Sequence, residues 1–214
     1  LPPANWMNDP NGPIYYDGWY HLFYQHNPYG DDWGYMHWGH ARSRDLVHWE
    51  HMPIALPPAY EAGEEHVYSG CARVNGSGEL LLVYTSVKTG TREDRPNNEQ
   101  WAARPLDAEL VTWERHPANP VLALETHGGP AFHKDWRDPF IFSADGRNFL
   151  VLAGDTDEIL EVALYEAIDE SLVRWRYCGP LVQEPRDERR RFLECPNFVQ
   201  IPPNESGGKA KWIL

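Results

Sequence analysis

Cysteine, methionine and positive charge are scarce in this sequence, and long apolar runs are missing altogether. Its 214 residues include three cysteines and three methionines, and 19 Lys and Arg stand against 32 Asp and Glu, a net charge of −13. Three cysteines without paired spacing give neither a disulfide framework nor a zinc site. The deficit of positive charge repels phosphate backbones and argues against a nucleic-acid partner. No apolar stretch reaches the roughly 20 residues of a membrane helix, so no membrane partner is expected. Flat rings and turn formers are abundant instead: 10 Trp, 11 Tyr, 17 Gly and 19 Pro. With 42% hydrophobic residues the chain supports a packed core, which excludes disorder. Its length suits one domain, or one and a fraction. Leu1 is not an initiator methionine, and Lys211-Trp212-Ile213-Leu214 stops while still apolar. The sequence is therefore expected to be a fragment, from which neither compartment nor oligomeric state follows.

The local signals are for strands. Ile14-Tyr15-Tyr16, the turn dipeptide Asp17-Gly18 and Trp19–Tyr24 form a β-branched and aromatic hairpin sentence. It recurs around 75–78, around Asp145-Gly146 and around 204–208, at intervals of about 60 to 70 residues. A second marker keeps the same beat. Leu46-Val47-His48-Trp49, Leu110-Val111-Thr112-Trp113 and Leu172-Val173-Arg174-Trp175 are copies of one pattern, each following a short extended segment. Each unit then holds a hairpin, a third strand, a Leu-Val-x-Trp turn and a Pro-marked stretch that carries a fourth strand. Four-stranded repeats of this length are the signature of a β-propeller, because a small sheet covers both faces only by packing against its neighbours. A β-sandwich with coincidental spacing is the rival fold. The count is about three and a half units, short of a closed ring.

Against that repeat, Asp9, Asp138 and Glu194 each fall at, or just before, the first strand of a unit, and so does Ser69. First strands line the axis of a propeller, so equivalent positions converge at one mouth of its channel. Singly, each acid also reads as a turn former, as in Asp9-Pro10-Asn11-Gly12 and Asp138-Pro139. Together they point to glycoside hydrolysis. One carboxylate attacks or stabilises the anomeric carbon, and another, held protonated, gives its proton to the leaving oxygen.

Trp6-Met7-Asn8-Asp9-Pro10-Asn11-Gly12, Arg137-Asp138-Pro139 and Glu194-Cys195-Pro196 closely resemble the three signature motifs of glycoside hydrolase family 32, the invertase, inulinase and levanase group. Phe23-Tyr24-Gln25-His26-Asn27-Pro28 and His37-Trp38-Gly39-His40-Ala41 are similar to that family's pattern. The resemblance implies an all-β, five-bladed β-propeller, usually followed by a β-sandwich. Residues 1–214 would carry blades one to three and the inner hairpin of blade four, with the C-terminal sandwich absent. It also implies roles: Asp9 as the nucleophile on C2 of a fructosyl unit, Glu194 as acid/base, and Asp138 as transition-state stabiliser with Arg137 beside it. Asn8, Gln25, Trp33 and Ser69 match family positions lining the fructose subsite. Tyr68 stands where the family usually has Trp or Phe, keeping the ring wall and adding a hydroxyl. Cys195 follows the acid as in the family, either tuning Glu194 or filling space as a buried thiol.

The function so implied is retaining hydrolysis of sucrose, or of terminal fructose in fructans, through a covalent fructosyl-enzyme and without a cofactor. Retention places two carboxyl groups about 5–5.5 Å apart. Two alternatives stay open: a fructosyltransferase with the same catalytic residues, and a non-catalytic sugar-binding remnant. His37, His40, His48 and His51 lie in strand and turn without zinc-site spacing, so no metal is expected. Between Trp33 and Trp38, Trp33 is expected to face the sugar. The charge run 186–191 reads as a solvated loop, or as a rim contact for longer fructans. Two glycosylation sequons, at Asn75 and Asn204, fall at hairpin tips.

Overall fold

In a computed structural model the chain is described at residues 2–90, 97–132, 135–189, 192–203 and 209–214. The second sequon and the turn expected at 204–208 lie outside the described residues, as do Arg190 and Arg191 of the charge run. The first sheet holds β1 (Trp6–Tyr16), β2 (Trp19–Asn27), β3 (His37–Ser43) and β4 (Trp49–Leu56), in sequence order and antiparallel throughout. The second holds β5 (Glu64–Val74), β6 (Leu80–Lys88), β7 (Asn98–Pro105) and β8 (Trp113–Arg115), with the short β9 (Leu122–Ala123) also on β7. The third holds β10 (Trp136–Ala144), β11 (Arg147–Asp155), β12 (Ile159–Ala167) and β13 (Trp175–Pro185). A hairpin of β14 (Val199–Ile201) and β15 (Lys211–Ile213) follows. Among the described residues the helical content is one 3-10 turn at Tyr60–Ala62. The chain is thus all-β, built as successive four-stranded propeller blades.

Sequence chemistry explains the recurring turns. Asp17 and Gly18 both take positive φ, 47° and 80°, as do Asp145 and Gly146 at 50° and 73°. That pair of left-handed residues matches the twist of a two-residue hairpin. In the Leu-Val-x-Trp turns the leucine is the left-handed residue each time: Leu46 at 63°, Leu110 at 58° and Leu172 at 60°. An aspartate just upstream secures each one. Asp45 accepts the N–H groups of Val47 and His48, Asp107 those of Val111 and Thr112, and Asp169 that of Ser171. The tryptophan ending each turn is the first residue of the fourth strand.

Sheets cover one another face to face. Phe23, Trp38 and Leu56 of the first blade pack on Val67, Leu82, Tyr84 and Trp101 of the second. Leu81, Val83 and Ala102 pack in turn on Trp136, Leu150, Leu152 and Tyr165 of the third. Phe142, Phe149 and Val151 then meet Phe198 and Trp212 of the final hairpin. The inner strands converge closely: a side chain at Gly12, whose φ is +49°, would lie 2.9 Å from the backbone nitrogen of Ala72.

Candidate active site

The first strands begin earlier than the hydrophobic runs indicate, so Asp9 sits within β1 rather than before it, and Ser69 well inside β5. Asp138 is the third residue of β10, and Glu194 precedes β14. Pro10 and Pro139, which read as parts of turns, are tolerated within strands because β1 and β10 each pair on one side alone. A missing N–H on the unpaired edge breaks no ladder.

Each inner strand carries a bulge where the candidate residues lie. Register slips between Met7 and Pro10, setting Asn8 and Asp9 opposite Gln25. It slips between Val67 and Gly70, setting Tyr68 and Ser69 opposite Thr85. It slips again between Arg137 and Phe140, setting Asp138 and Pro139 opposite Leu152. A bulge breaks the alternation of a strand and re-aims a side chain, here toward the axis. One open pocket results, lined by Asn8, Asp9, Gln25, Trp33, Tyr68, Ser69, Arg137, Asp138 and Glu194. All nine candidate residues meet there, from three sheets, the loop between β2 and β3, and the segment before β14.

Contacts inside the pocket are polar and short. Ser69 Oγ donates to Asp9 Oδ2 at 2.7 Å. Trp6 Nε1 donates to Asn8 Oδ1 at 2.7 Å, which turns the Asn8 amide toward Asp9. Burial pushes the Asp9 carboxyl up, but hydrogen bonds from Ser69, Asn8 and Cys195 outweigh it and hold the group below its usual range. Asp138 is 5% exposed, and burial pushes it up to about 6 despite the Cys195 N–H and the Arg137 charge. The neighbouring Asp9 and Glu194 charges act in the same upward direction. Arg137 Nη2 lies 2.6 Å from Glu194 Oε1 and 2.8 Å from Asp135 Oδ2, with Nε 3.9 Å from Asp138 Oδ2. Burial works against its charge, and these three carboxylates more than offset that. Gln25 is buried, donating to the Val67 carbonyl at 2.7 Å, which ties the first blade to the second.

Rings form one wall. Trp33 is half exposed and stands against His66 and Tyr68, with centroids 5.7 and 6.1 Å away. Trp38 is fully buried in the core and donates its N–H to the Tyr68 carbonyl. His37 and His40 are buried, whereas His48 and His51 are exposed. Cys195 lies against the two aspartates. Its sulfur lies 3.5 Å from Asp9 Oδ2 and 3.7 Å from Asp138 Oδ2, and its N–H donates to Asp138 Oδ2 at 2.9 Å. The reason is local: Cys195 takes φ 47°, which turns its backbone and sulfur toward the aspartates while Glu194 reaches Arg137.

Three residues near the site escape a reading by motif. Asp135 holds Arg137 and is pushed up to about 6, mainly by burial. Thr85 and Gln100 are buried and hydrogen-bonded to each other beneath Asp138. The repeat carried a signal for Thr85, since the 60-residue interval from Asp9 to Ser69 also leads from Gln25 to Thr85.

Bulged inner strands of successive propeller blades thus aim Asp9 and Asp138 into one shared mouth, and the segment before β14 brings Glu194 to it. The chain belongs to glycosyl hydrolases family 32, matching its N-terminal domain over residues 1–214. It is 37% identical to a levanase from Bacillus subtilis (strain 168), over 100% of this chain and 30% of that protein. With an acid beta-fructofuranosidase from Phaseolus vulgaris it shares 46% identity, over 64% of this chain and 20% of the relative. Among solved structures, a variant of fructan 1-exohydrolase IIa from Cichorium intybus in complex with 1-kestose superposes with a TM-score of 0.84. That match has 33% identity and covers 99% of this chain and 40% of the other. The chain therefore spans a fifth to two fifths of the length of these relatives.

Proposed function

We propose that this chain is part of a retaining glycoside hydrolase that cleaves β-fructofuranosidic bonds, in sucrose or at the fructose terminus of a fructan. We further propose that it supplies three blades and the inner hairpin of a fourth in a five-bladed catalytic propeller. The observation that carries the reading is the meeting of Asp9, Asp138 and Glu194 in one pocket with Arg137 between two of them.

Roles follow from environment. Asp9, held ionised by three hydrogen-bond donors, is the group ready to attack the anomeric carbon. Glu194 is half exposed at the rim, where a leaving sugar departs and water enters, as an acid that later serves as base requires. Asp138, deep in the pocket, faces the ring hydroxyls and the positive charge that develops in the transition state. Arg137 sets the separation of Asp138 and Glu194. Trp33 and Tyr68 offer ring faces to the sugar, and Asn8, Gln25 and Ser69 supply its polar contacts.

The test is sucrose hydrolysis by the full-length protein and its Asp9→Ala variant. Wild type is expected to release glucose and fructose, and the variant to lose at least about 10³-fold in kcat. Undiminished turnover in the variant overturns the nucleophile, and wild type that binds fructans without cleaving them favours a binding module. Fructose oligomers growing faster than free fructose at high sucrose would make transfer the main reaction.

A further inference from the structure

Asp138 occupies a backbone conformation that its own sequence opposes. Its φ is 65°, in the left-handed region that residues other than glycine seldom enter, and Pro139 follows it, restricting the backbone further. The bulge in β10 also takes it out of register with β11, so the ladder does not hold its N–H. A residue in such a state persists when its surroundings over-determine it.

The surroundings here are a relay through the second blade. The Asp138 N–H donates to Thr85 Oγ1 at 2.9 Å. The Thr85 hydroxyl donates its single proton to Gln100 Oε1 at 2.7 Å, so its lone pairs are what face Asp138. Gln100 Nε2 donates in turn to the Trp136 carbonyl at 3.1 Å, returning the relay to β10 two residues before Asp138. Thr85 and Gln100 are both 0% exposed. The far end of the aspartate is fixed separately, its Oδ2 accepting the Cys195 N–H.

We propose that Thr85 and Gln100 are positioning residues for Asp138: their relay across β6, β7 and β10 fixes the left-handed backbone that aims its carboxylate into the pocket. The proposal rests on the fructosidase reading for the consequence in turnover, while the placement of the carboxylate has a readout of its own. Thr85 is chosen over a plain core filler because valine has its shape without an acceptor, whereas serine keeps the acceptor and loses only a methyl. That pair of substitutions separates the two roles.

The experiment uses the full-length protein with Thr85→Val, Thr85→Ser and, at the far end of the relay, Gln100→Met. Two quantities are read: kcat and KM on sucrose, and the carboxyl titration of Asp138 by carbon NMR, assigned by its disappearance in Asp138→Asn. Thr85→Val is expected to lower kcat by about 10- to 100-fold with KM nearly unchanged, the scale of a misplaced catalytic group. The Asp138 titration midpoint is expected to move in the same variant, Thr85→Ser to restore both quantities, and Gln100→Met to shift both in the direction of Thr85→Val. A Thr85→Val variant with the wild-type midpoint and wild-type kcat overturns the relay. Equal damage in Thr85→Ser and Thr85→Val also overturns it, by showing that packing alone is at stake. Should wild type hydrolyse neither sucrose nor a fructan, the fructosidase reading falls, and the NMR midpoints still decide for or against the relay.

Discussion

Asp9 and Asp138 lie against the same Cys195 sulfur, yet their carboxyl groups move in opposite directions from the ordinary aspartate value. Burial acts upward on both. The donors around Asp9 reverse it, whereas those around Asp138 do not. Between about pH 4 and pH 6 an unfolded chain has released the Asp138 proton and the folded one has not. The folded state binds more protons in that window, so the Asp138 contribution to stability falls as pH rises through it and stays low above it. Asp138→Asn is therefore expected to gain about 2 kcal/mol relative to wild type on going from pH 4 to pH 8. Urea unfolding of both proteins at the two pH values checks this, and an unchanged difference contradicts it. Asp9 carries the reverse sign, its contribution present above the ordinary value and lost as pH falls through the lowered one. The sequence named both residues through their motifs. It did not show which would be held ionised, because that depends on Ser69 and Cys195, 60 and 186 residues away.

Strands and turns divide into what local chemistry dictates and what packing decides. The Asp-Gly hairpins and the Leu-Val-x-Trp turns were legible, since each is closed by its own residues. The strand starts were not: Asp9-Pro10-Asn11-Gly12 reads as a turn, although β1 runs through it as an edge strand. The bulges were equally hidden, because register depends on the partner strand. One motif also serves two environments. Leu172 is 1% exposed within the core between the second and third blades, whereas Leu46 is 56% exposed at the same turn position. Leu172→Ala is expected to cost about 2–5 kcal/mol of stability. Leu46→Ala is expected to stay within about 0.5 kcal/mol of wild type. Thermal or urea unfolding distinguishes them, and similar losses would show that turn geometry, not burial, sets the leucine.

At the scale of the molecule, sheets that each leave a face uncovered are joined by three apolar clusters, and the same packing brings the inner strands together. Asn11 reaches across to the Gly70 N–H, and Arg73 to the Ser143 hydroxyl, linking β1 to β5 and β5 to β10. The repeat interval foretold the convergence, because strands in equal phase reach one axis in a propeller. The same interval leads from Gln25 to Thr85, but the relay to Gln100 was not legible, because a side-chain hydrogen bond between two strands depends on how they pair. The measurement that bears most directly on the shared site is a crystal structure of the full-length Asp9→Ala protein with sucrose bound. The expected result is one fructosyl ring within hydrogen-bond distance of Asp138 and Arg137, with Glu194 beside the glycosidic oxygen. A sugar seated elsewhere, or those side chains drawn into separate regions, would contradict it.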